Sequence, residues 1–441
     1  MNTFSEKHYF SKNENLTSVL AECAGRCTVV IRKGVYETGP VDVPSDTHLV
    51  LEEGAVLSFS DDFDAYPPVY TRWEGVDCWA MHPCFLVNGA SNVRIEGKGV
   101  LNGNGKKWWD YIRTWKRNGA LAVQNLGIEK TLARLNPDYR NQPGGGGGRP
   151  CQFLRPALLQ VYNSENVSIE GLTLTMSPYW TCHPVCSRNI VLRNIIIENP
   201  ADSPNTDGID IESCSGVTVS GCRVHVGDDG IAVKSGSGRE MINGPVSENI
   251  LVEDCVVSQA HGGFVIGSET ASGINGATVR NCRFLGTDRG LRIKTRRDRG
   301  GVIENIVLEN VYMENVICPV SVNMYYVCGS DNPSLFSLKA LPVTEATPLI
   351  RNITVRGIEA RGIRRGAALL VGLPERPLEN VSVTDCRFEL APVNETDLEM
   401  DMMAGIPDSD YRGVRVINAD LRFDNIKINT EPAVRFDSYN A

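Results

Sequence analysis

One motif recurs along this chain and limits what it can become. "NVRIEGKGVL" from Asn92, "NVSIEGLTL" from Asn166, "NIVLRNIII" from Asn189, "GVTVSGCRV" from Gly216, "NILVEDCVV" from Asn249, "ATVRNCRF" from Ala277, "NIVLENVYM" from Asn305, "NITVRGIEA" from Asn352 and "NVSVTDCRF" from Asn380 share one grammar. Asn or Gly comes first, then apolar–polar–apolar, then a small or turn residue, then more apolar residues. From Asn166 to Asn305 the starts lie about 23 to 33 residues apart, which is a solenoid period. The alternation within each unit has period two and predicts strands. Asn, Asp and Gly at the junctions supply turn conformations that other residues resist. A strand–turn–strand unit this short cannot bury its own apolar face, but stacking units in parallel buries it. The expected fold class is all-β: a right-handed parallel β-helix, a single-stranded solenoid, forming a single domain over residues 1–441. A sandwich would call for hairpin signals such as Asn-Gly between neighbouring strands, and these are few.

The ends and one interruption complete this layout. Residues 1–26 read as an N-terminal cap, with "ENLTSVLAECA" as a short amphipathic helix over the open end of the stack, since a bare end invites strand addition. Residues 105–156 break the pattern near the N-terminal third, as a long looped and helical insert with Trp108, Trp109, Trp115 and five consecutive Gly. Inserts of this length in compact folds are usually functional or disordered, and the aromatics argue against simple disorder. The insert is expected to wall a groove, with a mobile segment at the glycines. From Leu390 the chain, with "EMDMMAGIPDSDYRG", reads as a looped excursion before a final strand pair in "VRVINADLRFDNIKINT".

Charge and cysteine usage narrow the partners. A formal net charge of −9 gives no general basic surface for nucleic acid. No apolar run reaches the length of a membrane span. The first residues lack a basic segment followed by an apolar one, so a cytoplasmic location is expected, or secretion if a leader has been removed. Fourteen cysteines without a leader read as free thiols. Cys222, Cys255, Cys282 and Cys386 share one slot of the repeat and predict a ladder of buried small residues. "CHPVC", Cys182 to Cys186, is the one tight Cys/His cluster and a weak zinc signal. No metal and no cofactor is expected.

The chemistry concentrates on successive coils. Asp207 in "NTDGID" and Asp228 in "GDDGIAV" are 21 residues apart, about one coil. Neighbouring parallel strands lie about 4.8 Å apart, so the two acids, joined by Asp229, are expected on one outer face. The next coil carries His261 in "AHGG", and the one after carries "RIK", where Arg292 and Lys294 alternate with Leu291 and Ile293. Taken singly, each acid reads first as a turn former. The combination reads as a surface that holds an anionic sugar while its bond is cleaved.

The ordered set "NTD", "GDD", "HG" and "RIK" resembles glycoside hydrolase family 28, the polygalacturonase family, over most of the chain. "TRWEG", Thr71 to Gly75, and "SPYWTCHP", Ser177 to Pro184, resemble its exo-acting bacterial branch. The resemblance implies hydrolysis of α-1,4-galacturonosyl linkages in pectic oligosaccharides, with inversion. It implies Asp228 as general acid, Asp207 and Asp229 as base on a water, and His261 tuning the acid or the proton network. Arg292 and Lys294 would bind the galacturonate carboxylate. Tyr325 would line that subsite, with Tyr326 its rival, and Asn205, Trp180 and His183 would add substrate contacts. Trp108, Trp109, Trp115 and Trp180 are expected to stack on sugar faces. The sequence departs from the family in Ala260 of "AHGG" and in lacking the usual N-terminal entry motifs. Rhamnogalacturonan or xylogalacturonan fragments are alternative substrates, a Ca²⁺-dependent lyase is an alternative reaction, and a non-catalytic glycan-binding β-helix is the alternative from another class.

Overall fold

A computed structural model describes residues 4–118, 127–141 and 152–439. The run Gly144–Gly148 and the side chain of Trp115 lie outside the described residues. The chain falls into two compact units, 1–228 and 229–441, and both are built as parallel β-helix.

In unit 1–228 the parallel strands stand in three columns. The first runs through Cys27–Ile31, His48–Leu51, Ser91–Gly97, Glu165–Glu170, Arg188–Arg193 and Ser215–Ser220. The second holds Gly34–Thr38, Ala55–Phe59, Val100–Asn102, Thr173–Thr175, Ile196–Glu198 and Arg223–His225. The third holds Val41–Val43, Phe85–Asn88, Leu159–Tyr162, Cys182–Val185 and Ile209–Glu212. In unit 229–441 the same three columns recur. Its third column is Asp229–Lys234, Gly262–Ile266, Arg289–Lys294, Cys318–Asn323, Ala368–Val371 and Val414–Ile417. The first-column strands alternate buried and half-exposed residues, as in Glu165–Glu170. Ile209–Glu212, Asp229–Lys234 and Arg289–Lys294 are buried at every position. Polar side chains on the outer face of this third column are therefore covered by other parts of the chain.

The Asn that opens each repeat has a backbone cause. Asn92, Asn166, Asn189, Asn249, Asn305, Asn352 and Asn380 all take φ between 51° and 60°, a left-handed conformation that Asn tolerates better than other side chains. The side chains also form ladders: Asn189 Nδ2 donates to Asn166 Oδ1 at 3.1 Å, and Asn352 Nδ2 donates to Asn305 Oδ1 at 3.1 Å. Where the repeat lacks Asn, glycine takes the corner, as at Gly216 with φ 70° and Gly276 with φ 82°. Asn305→Ala should cost about 2 kcal/mol, from left-handed strain and two lost amide bonds. Asn305→Gly should cost less, and urea unfolding of the two variants checks the order.

The cysteine ladder forms as expected. Cys222, Cys255, Cys282 and Cys386 are buried free thiols, each sulfur donating to a backbone carbonyl two residues earlier. The cap helix, α1, spans Leu16–Cys23, with Asn15 Oδ1 accepting from Ser18 N–H as an N-cap should. Its buried face is Leu16, Val19, Leu20 and Cys23. Among the described residues no helix is long and apolar enough to cross a membrane.

Two features interrupt the coils of unit 1–228. Pro68–Trp73 and Val76–Met81 form an antiparallel hairpin. Its turn, Glu74 and Gly75, has φ 44° and 81°, the positive pair that matches strand twist. The insert supplies helix α2, Lys106–Asn118, and helix α3, Gly127–Leu135. Trp108 and Trp109 are buried rather than open to a sugar: Trp108 packs against Phe63, Tyr66 and Phe153, and Trp109 Nε1 donates to Ser177 O. A two-Trp run on an amphipathic helix supplies the large apolar area that docks the helix on the coils. After α3, Asn136 exchanges two hydrogen bonds with the backbone of Trp79, tying the insert to the hairpin.

Candidate active site

The expected acids end one unit and begin the next, and the two halves are taken in turn. In unit 1–228, Asp207 sits two residues before the third-column strand Ile209–Glu212. Its backbone carbonyl accepts from Thr181 N–H at 2.9 Å, which continues the coil pairing, and it is 3% exposed. Asn205 holds φ 56°, and its Oδ1 accepts from Arg155 Nη2 at 2.7 Å. Asp228 is half-buried. Gly227 before it is required by close approach, since a Cβ there would lie 2.4 Å from Ser203 O.

Beside these residues lies an ionic network that the sequence reading did not anticipate. Hairpin strand Pro68–Trp73 lies on the third column. Thr71 Oγ1 donates to Gln160 Oε1 at 2.6 Å, and Gln160 Nε2 lies 3.1 Å from His183 Nδ1. His183 Nε2 lies 3.1 Å from Glu212 Oε2, and Arg72 Nη1 donates to Glu212 Oε1 at 3.0 Å. With the Gln160 amide donating, His183 accepts at Nδ1 and donates from Nε2. Burial pushes the Glu212 carboxyl up, but the Arg72 charge and the His183 hydrogen bond win and hold it below its ordinary value. Trp73 stacks on Tyr179 at 4.7 Å, Tyr179 stacks on Trp180 at 5.2 Å, and Trp180 meets His183 edge-on. "TRWEG" and "SPYWTCHP" are thus the two sides of one contact. It takes up Trp180 and His183 as packing and network residues instead of presenting open faces to a sugar.

In unit 229–441 the structure brings Asp229, His261, Arg292 and Lys294 together. Asp229 opens its strand at 1% exposure, with Oδ2 accepting from Lys294 Nζ at 2.6 Å and Oδ1 lying 3.6 Å from Arg292 Nη1. A ring nitrogen of the exposed His261 lies within 4.8 Å of an Asp229 carboxylate oxygen. Asp229 pairs in register with Gly262, so the cations reach back to it from two coils away. Arg292 runs alongside Gly262, where a Cβ would lie 3.5 Å from Arg292 Cβ.

The tyrosines resolve differently from the parity argument. Strand Cys318–Asn323 ends before either tyrosine, so alternation no longer sets their direction. Tyr325 turns to Arg297, 5.5 Å from its ring, and donates to Ser337 O. Tyr326 puts its ring 5.6 Å from the Arg292 guanidinium and 5.5 Å from Lys294 Nζ. Tyr326, not Tyr325, therefore adjoins the cations. Burial, only partly offset by Arg292, keeps its hydroxyl protonated well above its ordinary value.

Two acids complete this half. Asp401, from the excursion after Leu390, accepts from Arg292 Nη2 at 2.7 Å and from Ser321 Oγ at 2.6 Å. Glu269 accepts from Lys234 Nζ at 3.2 Å. Against burial, the charges of Lys234, Arg299 and Lys294 lower the Glu269 carboxyl to about 2. Either residue could have been suspected only as an acid in an otherwise unassigned loop. The assembled half offers a carboxylate paired with two cations, beside an imidazole and an aromatic ring. Such a group can accept a proton from water, and the cations can pair with an anionic ligand.

The sequence matches the family described as Glycosyl hydrolases family 28 over residues 146–362, which contain every motif above from Ser177 to Tyr326. That match covers 217 of the 441 residues. The chain is similar in structure to an exopolygalacturonase from Thermotoga maritima, with 26% identity and a TM-score of 0.78 over 97% of this chain and 93% of that one. A "Probable polygalacturonase" of Vitis vinifera is 28% identical over 375 residues, covering 83% of this chain and 68% of that protein. An "Endo-polygalacturonase" of Pectobacterium carotovorum subsp. carotovorum is 26% identical over 332 residues, covering 71% of each. The chain spans between 47% and 68% of the length of the first plant relatives it matches.

Proposed function

We propose that this hydrolase removes galacturonic acid from the non-reducing ends of pectic oligosaccharides, cleaving α-1,4-galacturonosyl linkages with inversion. The observation that carries the proposal is Asp229 clasped by Lys294 and Arg292, because a uronate substrate needs both a water-activating carboxylate and cations for its own carboxylate. Asp228 protonates the leaving oxygen. Asp207 and Asp229 take the proton of the attacking water, and His261 holds the shared proton network. Inversion requires acid and base about 6.5–9.5 Å apart with a water between them. Tyr326 lines the carboxylate subsite over the two cations.

The exo reading draws support from the insert and from the Thermotoga maritima similarity. Helix α2 is fastened by Arg113 Nη2 to Asp202 and by Trp109 to Ser177. These anchors lie on the segments that lead to Asp207 and Trp180, where a wall at one end of the groove would stand. The test is product analysis from tri-galacturonate and a rhamnogalacturonan oligosaccharide side by side. Galacturonic acid with an equal amount of digalacturonate is expected first, from the tri-galacturonate only, the galacturonic acid appearing as the β-anomer by NMR. Rapid loss of polygalacturonate viscosity ahead of reducing ends would sink exo action, and an α-anomeric first product would sink inversion.

A further inference from the structure

We infer that Asp401 is a positioning residue for Arg292, so that the excursion between Leu390 and Val414 completes the uronate-binding cation. The inference rests on the reading of Arg292 as a carboxylate binder. Asp401 is 3% exposed. Its Oδ1 accepts from both Arg292 Nε at 3.1 Å and Nη2 at 2.7 Å, and from Met402 N–H at 2.8 Å. Its Oδ2 accepts from Ser321 Oγ at 2.6 Å, and Ser321 pairs in register with Arg292 on the neighbouring strand. One edge of the guanidinium is thus fixed, and Nη1 is left pointing toward Asp229 at 3.6 Å.

The fastening of the excursion does not require this carboxylate. Arg289 already holds the backbone there, through Nε to Met400 O at 2.9 Å and Nη2 to Glu399 O at 2.7 Å. What Asp401 adds is direction and charge. Asp401, Arg292, Asp229 and Lys294 form an alternating chain of ion pairs, in which Arg292 lies closer to Asp401 than to Asp229. Without the Asp401 charge, Arg292 closes onto Asp229, and its fork is no longer aimed at a ligand carboxylate.

The experiment measures inhibition of tri-galacturonate cleavage by galacturonate and by galactose, which lacks the carboxylate, together with KM, kcat and thermal unfolding. Asp401→Asn should weaken galacturonate inhibition by about tenfold, leave galactose inhibition unmoved, and raise KM by more than it lowers kcat. Asp401→Glu should recover part of the loss. Ser321→Ala, a milder change that keeps the test open if Asp401→Asn does not fold, should shift the same ratio in the same direction. An unfolding temperature that falls while the galacturonate-to-galactose ratio stays at its wild-type value in both Asp401→Asn and Ser321→Ala would overturn the inference. A wild type that hydrolyses tri-galacturonate but does not prefer galacturonate over galactose would overturn it as well. A wild type with no activity on any galacturonate chain would instead overturn the functional reading beneath it.

Discussion

Asp229→Asn should lower the rate of galacturonic acid release by about 10³-fold, the size of a lost general base, and leave the chain folded. The substitution keeps the shape of the side chain and removes the charge that Lys294 and Arg292 hold in place. Arg292 keeps Asp401 as its partner, and Lys294 keeps the nearby charge of Glu269. Neither cation is stranded, so the loss falls on chemistry more than on stability. Reducing-end release and circular dichroism on one preparation separate the two. A folded variant working within tenfold of wild type would remove Asp229 from the mechanism.

Arg72→Met is expected to cost about 3–5 kcal/mol of stability at neutral pH, the range for breaking a buried ion pair from one side. Glu212 is wholly buried and would keep only His183. The pH dependence has a definite sign. In the wild type the folded Glu212 carboxyl lies below its ordinary value, because Arg72 and His183 overcome the effect of burial. Its pairing therefore contributes stability that is present above the unfolded value of about 4.3 and is lost as pH falls through the lower folded value. In the variant burial acts with less opposition, the acid binds its proton more readily, and acid relieves the defect. The gap between wild type and Arg72→Met should narrow from pH 7 to pH 4 in urea titrations. A gap that widens would show that Glu212 is not the group under strain.

How far each feature was legible follows from the range of the interaction behind it. The repeat, the left-handed Asn corners and the cysteine ladder arise from neighbouring coils, and they were visible as a period. Arg292 and Lys294 were legible because both lie inside one regular strand, Arg289–Lys294, where alternation sets direction. Tyr326 was not, because the strand stops at Asn323. The hairpin escaped notice because its turn is Glu-Gly rather than Asn-Gly. Trp108 and Trp109 suggested stacking faces, yet a large aromatic on an inserted helix is equally what docks that helix. The ionic networks were out of reach. Arg72 meets Glu212 across 140 positions and Arg292 meets Asp401 across 109, and no local pattern records such a pairing.

That last separation also sets an order in time. Coils that depend only on their neighbours can form in sequence as a chain emerges from the ribosome at about 5–20 residues per second. Asp401 follows Arg292 by 109 residues, so the guanidinium waits roughly 5–20 seconds for its anion at that pace. Until the excursion folds back, the strand that carries Arg292 is complete while its charge balance is not. The nascent β-helix can therefore hold its shape before the cation of the proposed uronate subsite is balanced.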